Sequence, residues 1–560
     1  MFTGVNVAAA SAQAICFAIL LSAQDAPIRF ENISDQSGIR FVLRDSATPQ
    51  RHQIETMVGG VAVLDYNNDG RQDIYFVNGA RQPQFDKPDP SWFNRLYRND
   101  GGGKFTDVTV EAGVAGEGFA TGVAAGDYDN DGFADLFVAG VNRNVLYHNR
   151  GAGTFEDVTS KAGLAHEGIG RKPWSIAAGW FDLDNDGDLD LFVVNYCVWI
   201  PESEHACTIG DFRTYCHPRY YDGLPNSLYR NNADGTFTDV SNSSGIAAHA
   251  GKGMSAAFLD FNGDGRLDVF VANDTVPNFL FRNDGGGRFR EVGLETGIAF
   301  NDDGRAVSSM GVDARDIDND GREDVFVVAN NTETFPLFRN LGNGAFLDIT
   351  YPSQIGRQTL AYTGWSNAIV DLDNDGLKDL FVACGSIDDN VEQFSHRRSK
   401  HSNLVLRNLG NTRFIDVTGR SGPALQTAAR HRGAAFGDFD NDGRVDAVVT
   451  RIDEPAILLR NVSPPDNHWL AFRLRGRKSN RDGVGALVEV VGASGRRQWN
   501  RATSSTGYAS SSHGAVFFGM GKDPTARRVD IVWPSGTRQT LDNVACDRYV
   551  NVEEPLEQKQ

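Results

Sequence analysis

Basic residues are scarce relative to acids. The 560-residue chain carries 54 Lys plus Arg against 73 Asp plus Glu, a formal net charge of −19. That balance excludes a nucleic-acid partner, because meeting phosphates calls for a basic stripe. Long apolar runs are lacking as well. The one membrane-like segment, Val7 to Ala23, is strongest at Ala14–Leu21 and is too short to span a bilayer. It fits the apolar region of a signal peptide with Leu21-Ser22-Ala23 as the cleavage site, although no Lys or Arg precedes it. Residues 1–23 are therefore expected to be a signal peptide of a secreted or periplasmic protein without a transmembrane anchor. Cys16 follows Ile15 rather than a small residue, which argues against a lipid anchor there. Cysteine is sparse too, with six in all, whereas 40% hydrophobic residues suffice for a real core.

What the chain has in abundance is glycine (61) and phenylalanine (35), which points to many tight turns, short strands and internal repetition. The pattern D-x-[DN]-x-D-G-x-x-D occurs seven times, beginning at Asp65, Asp127, Asp182, Asp260, Asp316, Asp371 and Asp438. A small-residue apolar stretch precedes each copy, as in Gly60-Val61-Ala62-Val63-Leu64, and a β-type run such as Ile74-Tyr75-Phe76-Val77 follows. Next comes a run ending in Arg-Asn or His-Asn (RLYRN at 95–99, VLYHN at 145–149), then a Gly-rich turn and a third run such as KFTDV at 104–108. One repeat is thus four strands, A to D, with the acidic loop joining A to B. Seven such units predict an all-β, seven-bladed β-propeller, since Gly and Ala in strand A suit the crowded axis. The seventh repeat lacks its last run. Arg29-Phe30-Glu31-Asn32-Ile33 supplies it from the N-terminal side and would close the ring by pairing an otherwise free edge. The expected propeller spans 24–462.

The loop spacing carries its own chemistry. Carboxylates at positions 1, 3, 5 and 9 with Gly at 6 gather oxygen ligands around one centre, as at the start of an EF-hand loop but flanked by strands and without the Glu at position 12. The candidate metal ligands are Asp65, Asn67, Asp69 and Asp73; Asp127, Asp129, Asp131 and Asp135; Asp182, Asp184, Asp186 and Asp190; and Asp260, Asn262, Asp264 and Asp268. The remaining loops supply Asp316, Asp318, Asp320 and Asp324; Asp371, Asp373, Asp375 and Asp379; and Asp438, Asp440, Asp442 and Asp446. All-oxygen ligation suits Ca²⁺ better than zinc or copper. About seven structural Ca²⁺ ions are expected, and they would bring the charge from −19 to about −5.

These residues resemble the FG-GAP/VCBS repeats of integrin-type propellers, in particular the cartilage-acidic-protein-like group, over residues 28–462. The strongest carriers are GGVAVLDYNNDGRQDIYFVNG at 59–79 and the recurring LYRN and F-x-D-V-T pairs. Ser463-Pro464-Pro465 reads as a linker, and residues 463–560 resemble an ASPIC/UnbV domain. The matching features are Gly483-Val484-Gly485-Ala486, Phe518-Gly519-Met520-Gly521 and Val529–Gly536. Its alternating strands and Gly turns imply a small all-β domain, in which no metal or nucleophile constellation stands out. The insertion Asn195–Asn226 in blade 3 holds Cys197, Cys207 and Cys216. A Cys207–Cys216 disulfide is expected in an exported protein, with Zn²⁺ held alongside His205 or His217 as the alternative.

The expected working surface is the face opposite the acidic loops, where connections vary in length. Just before strand A in blades 3 to 7 stand Trp174, Lys252, Met254, Met310, Tyr362, Trp365, His431 and Arg432, placed by the repeat near the mouth of the central channel. They suit a protein, glycan or small-molecule ligand. Two functions follow: a Ca²⁺-stabilised recognition or adhesion module, or an exported enzyme with His431 as acid/base and Lys252 or Arg432 stabilising an anion.

Overall fold

A computed structural model describes residues 28–165 and 173–556, so the signal-peptide expectation at 1–23 lies outside the described residues. Seven four-stranded antiparallel sheets follow one another around an axis, each ordered A-B-C-D from the inside outwards. In blade 1 these strands are Val61–Leu64, Asp73–Phe76, Arg95–Gly101 and Lys104–Asp107. Blade 7 takes strands A to C from His431–Gly437, Asp446–Arg451 and Glu454–Asn461, and its outer strand from Phe30–Asn32. The register there is Phe30 to Asn461, Glu31 to Arg460 and Asn32 to Leu459.

Small residues allow the inner strands to meet. A Cβ on Gly122 would lie 2.2 Å from Ile176 O in the next blade, and one on Gly433 would lie 2.2 Å from Gly59 O. Hydroxyls then bond across the gaps. Thr121 Oγ1 donates to Ser175 O (2.6 Å), Ser366 Oγ to Ala434 O (3.2 Å) and Thr450 Oγ1 to Gly59 O (2.9 Å).

The Asn that ends each C strand has a precise task. Its Nδ2 donates to the backbone carbonyl at loop position 2 of the preceding blade in all seven cases, from Asn99 to Phe439 O through Asn461 to Leu372 O, at 2.7–3.2 Å. A second ring runs through loop position 4, where Asn takes the left-handed conformation it tolerates better than most residues. Asn68, Asn130, Asn185, Asn319, Asn374 and Asn441 each donate to the position-6 glycine carbonyl of the next blade. Blade 4 has Gly263 instead and forgoes that bond.

The F-x-D-V-T run also resolves into bonds. Asp107 Oδ1 accepts from the Thr109 amide and hydroxyl, and Thr109 Oγ1 accepts from Leu96 N. The chain then crosses to the loop face of acidic residues and forms a C-terminal unit of two sheets. One is ordered Val516–Gly521, His468–Arg475, Arg548–Glu553; the other is Arg497–Arg501, Leu487–Gly492, Thr525–Val532, Arg538–Ala545. Its core includes Leu470, Phe472, Val488, Ile531 and Trp533. No helix among the described residues is long and apolar enough to cross a membrane.

Candidate metal centres and axial channel

Backbone amides preset the carboxylates of every acidic loop. In blade 1, Asp65 Oδ1 accepts from Asp69 N (3.0 Å) and Asp65 Oδ2 from Gly70 N (2.8 Å). Asp73 Oδ1 accepts from Asn99 N (2.7 Å) and its Oδ2 from Tyr66 N (3.2 Å). The Gly amide bond to position 1 recurs in all seven loops at 2.7–3.0 Å. Ligand oxygens within 4.8 Å of one another occur in sets including Asp127/Asp129/Asp135, Asp182/Asp184/Asp190, Asp316/Asp318/Asp320 and Asp371/Asp373/Asp379.

Electrostatics favour a cation at these points. Burial, with neighbouring carboxylates adding to it, pushes Asp73 and Asp268 up to about 8 and Asp182 up to about 7. Asp127 rises to about 8 through burial and then the nearby Asp482. Asp318 Oδ1 and Asp373 Oδ1 are buried and have no hydrogen-bond partner. Orphaned buried oxygens among crowded carboxylates fit a bound cation, and several of these clusters could hold one.

The C-terminal unit sits on this same face. Tyr549 OH donates to Asp438 Oδ2 (2.7 Å), Asp482 Oδ2 accepts from Asp127 N (2.9 Å), and Arg501 pairs with Glu323 beside Asp260. Arg473 reaches Gly70 O and Asn441 Oδ1, Arg481 N reaches Asn130 Oδ1, and Gly521 N reaches Asn374 O.

From this face the segment 503–513 enters the axis as a finger whose tip is Gly507-Tyr508. Ser505 and Ser511 bridge its two arms. The finger adds backbone bonds to the inner strands: Gly507 N to Val312 O (2.9 Å), Val123 N to Ala509 O (3.1 Å), Ser511 N to Val61 O (3.0 Å) and His513 N to Phe436 O (3.0 Å). Ser504 Oγ and Ser505 Oγ donate to Ala125 O and Ala256 O. Tyr508, fully buried, donates its hydroxyl to Met57 O (2.6 Å) at the far end.

The far end is covered too. The blade 3 insertion, stapled by a Cys207–Cys216 disulfide, crosses the axis. Tyr215 OH donates to Glu55 Oε2 (3.0 Å), Tyr215 N to Asp388 Oδ1 (3.2 Å), Arg213 Nε to Gln50 O (2.9 Å) and Asn390 Nδ2 to Arg213 O (3.0 Å). Loops from blades 1, 3 and 6 are thereby knitted into a lid. With the disulfide formed, His205 and His217 hold no zinc with these sulfurs, and Cys197, Cys384 and Cys546 are free and buried.

Seven of the eight residues expected at an open mouth are buried, which corrects that picture of access. Trp174, Met254, Met310, Trp365, His431 and Arg432 are at most 2% exposed, Lys252 is 7% exposed and Tyr362 is half-buried. Arg432 sits 4.0 Å over the Trp365 ring and donates to Thr56 O, His431 O and Ser386 O, while Tyr508 meets Trp365 edge-on at 5.1 Å. His431 Nδ1 faces Cys384 O (2.9 Å), and burial pushes its pKa down to about 4, leaving a neutral ring packed inside the protein. Trp174 packs on Tyr196 and Trp199. Sequence reasoning missed the finger, Tyr508 above all. The available signal was the run of small residues Thr503–Ser512, which has no strand alternation.

Family models match this architecture. The FG-GAP-like repeat model matches residues 65–138, 127–193, 219–271, 260–327 and 316–382, together more than half of the chain, and the ASPIC and UnbV model matches 476–559. The chain belongs to the FG-GAP-like repeat family. It is similar to cartilage acidic protein 1 of Homo sapiens, 25% identical over 324 residues covering 57% of this chain and 46% of the relative. The Xenopus tropicalis protein of that name is 27% identical over 283 residues, covering 48% and 40%. The chain spans about half the length of the curated relatives it matches. Among solved structures, an Agrocybe aegerita lectin recognising non-reducing terminal N-acetylglucosamine aligns at TM-score 0.40 with 17% identity, covering 71% of this chain and 87% of the lectin. YCF48 bound to D1 peptide aligns at TM-score 0.41 with 9% identity, covering 79% and 100%.

Proposed function

We propose that this FG-GAP repeat protein is an exported, Ca²⁺-stabilised recognition or adhesion module that binds a protein, glycan or small ligand on its lid face. The observation that carries the reading is the lid itself. Its disulfide-stapled insertion presents Ile200, Ile209, Phe212 and Tyr220 at 41–50% exposure, with Arg219 stacked 5.0 Å over Tyr220. Tyrosine and arginine are among the side chains from which binding surfaces draw most of their energy, and exposed apolar neighbours help exclude water around them. A disulfide in so small a loop also suits an oxidising compartment. The residues beneath the lid then support it, and a ligand would reach them only by displacing it. About seven Ca²⁺ ions in the acidic loops would hold the blades in register.

The test is binding to glycan and peptide arrays by the Ca²⁺-loaded protein, followed by I209S/F212S and, as a control on the opposite side of the fold, Leu556→Ser. The double variant should lose array hits and keep its melting temperature. Hits that persist in I209S/F212S, or an array without hits for the wild type, would remove the lid from consideration.

A further inference from the structure

One blade departs from the repeat in a way that changes its chemistry. The residue before the terminal Asn of strand C is Arg in six blades (Arg98, Arg230, Arg282, Arg339, Arg407 and Arg460), but in blade 2 it is His148. In blades 5 and 6 that arginine reaches into the acidic loop, with Arg339 at 2.7 Å from Asp318 and Arg407 at 2.9 Å from Asp373. An arginine there can only be a counterion, since it carries no lone pair to donate. An imidazole can be a ligand.

His148 takes that position. Its Nδ1 lies 3.2 Å from Asp129 Oδ2 and 3.3 Å from Asp135 Oδ1, and the ligand atoms of Asp129, Asp131 and His148 all fall within 4.8 Å of one another. Asp129 also belongs to the set with Asp127 and Asp135, so two overlapping sets join five side chains of one blade, four from the acidic loop and His148 from strand C. The Nδ1 atom is sealed from solvent and makes no well-formed hydrogen bond, and the ring is held edge-on to the buried Tyr128 at 6.2 Å. Two donors about 2.1 Å from one ion in a tetrahedral arrangement are about 3.4 Å apart, close to the separations seen here.

We infer that the blade 2 loop binds a nitrogen-accepting divalent transition ion, of the Zn²⁺, Mn²⁺ or Co²⁺ kind, through His148 Nδ1 together with the loop carboxylates. The inference rests on reading the acidic loops as cation sites. Imidazole suits such ions, whereas Ca²⁺ is served by oxygen alone, so one loop of seven becomes selective.

Full-length protein, stripped of metal and returned to about millimolar Ca²⁺, is titrated with Co²⁺ as the probe. Visible d–d absorption is read together with elemental analysis after equilibrium dialysis. The wild type should retain one Co²⁺ per chain, and H148R, which restores the residue of the other blades, should weaken it more than tenfold while Ca²⁺ content is undiminished. H148Q, which keeps a neutral side chain of similar reach, should behave as H148R does, and it serves should H148R misfold. Equal Co²⁺ affinity in the wild type and these variants, or no Co²⁺ retained by the wild type, would overturn the inference while leaving Ca²⁺ binding at the other loops intact. Absence of Ca²⁺ throughout, with one His148-dependent Co²⁺ still bound, would refute the Ca²⁺ reading and sustain this one.

Discussion

Truncating the tip of the finger tests whether it fills the axis in solution. Tyr508 is fully buried, packs edge-on against Trp365 and donates its hydroxyl to Met57 O at 2.6 Å. Tyr508→Ala removes that ring and leaves a cavity bounded by Trp365, beneath which Arg432 is held. Truncating a large buried aromatic costs about 3–5 kcal/mol. With an unfolding entropy of about 2.1 cal/mol/K per residue, a chain of this size has roughly 1.2 kcal/mol/K, so the melting temperature should fall by about 2.5–4 °C. Tyr508→Phe loses only the hydroxyl bond, about 0.5–1.5 kcal/mol, or about 1 °C. Because a multidomain chain need not melt in one step, hydrogen exchange is the sharper assay. Amides of Gly507, Ser511 and His513 should exchange slowly in the wild type and faster in Tyr508→Ala, and so should their partner Val63, whose amide bonds Ser511 O. Finger amides that exchange freely in the wild type, or an alanine variant that melts with it, would refute an occupied axis.

Three further outcomes follow from other parts of the molecule. At about ten times a Kd near 10⁻⁴ M each Ca²⁺ contributes about 1.4 kcal/mol, so seven sites give roughly 10 kcal/mol, and EDTA should lower the melting temperature sharply in calorimetry; an unchanged transition would contradict Ca²⁺ cages. Deleting residues 24–34 removes Phe30–Asn32 from Glu454–Asn461 and bares a strand edge, so light scattering should show aggregation that deletion of 1–23 alone does not produce. Glu554 Oε2 accepts from the amides of Arg477, Lys478 and Ser479 at 2.8 Å each, and these bonds, with that from Ser535, draw its pKa down to about 2. Its stabilisation is complete above the unfolded carboxyl's value near 4 and is lost as pH falls towards about 2, so Glu554→Gln should flatten the acid limb of the C-terminal unit's melting curve; an identical acid limb would show that this nest does not matter.

The repeat was legible because each of its parts is local. An acidic loop, its Gly and the strands beside it lie within about twenty residues, and the two Asn positions recur at fixed offsets even though their bonds run between blades. The axial contents were not legible. Tyr508 meets Met57 from 451 positions away and Trp365 from another blade, and a run dominated by Ser, Thr, Gly and Ala offers neither alternation nor charge from which a destination could be read. The lid failed for the same reason: Tyr215 bonds Glu55, 160 positions away, and nothing in either neighbourhood names the other. Repeat position marked Trp365, His431 and Arg432 as flanking strand A. It could not tell whether they would be open to solvent or, as here, buried.

The closed axis accounts for the one charge that would otherwise be hard to justify there. Arg432 is fully buried and has no carboxylate in contact among the described residues, and burial lowers its pKa to about 9, so it remains a cation at neutral pH. An unpaired charge in a dry interior is costly unless its donors are used and its field is met. Here three carbonyls, from Thr56, His431 and Ser386, take the donors, and the Trp365 face takes the cation at 4.0 Å. Two of those carbonyls belong to the lid-bearing segments before strand A of blade 1 and after strand B of blade 6, so the guanidinium ties the lid to the inner strand of blade 7. Trp365 in turn meets Tyr508 of the finger edge-on at 5.1 Å. The residue that reads from sequence as an anion-binding group is thus the joint where lid, inner strand and finger meet, and its donors hold them together.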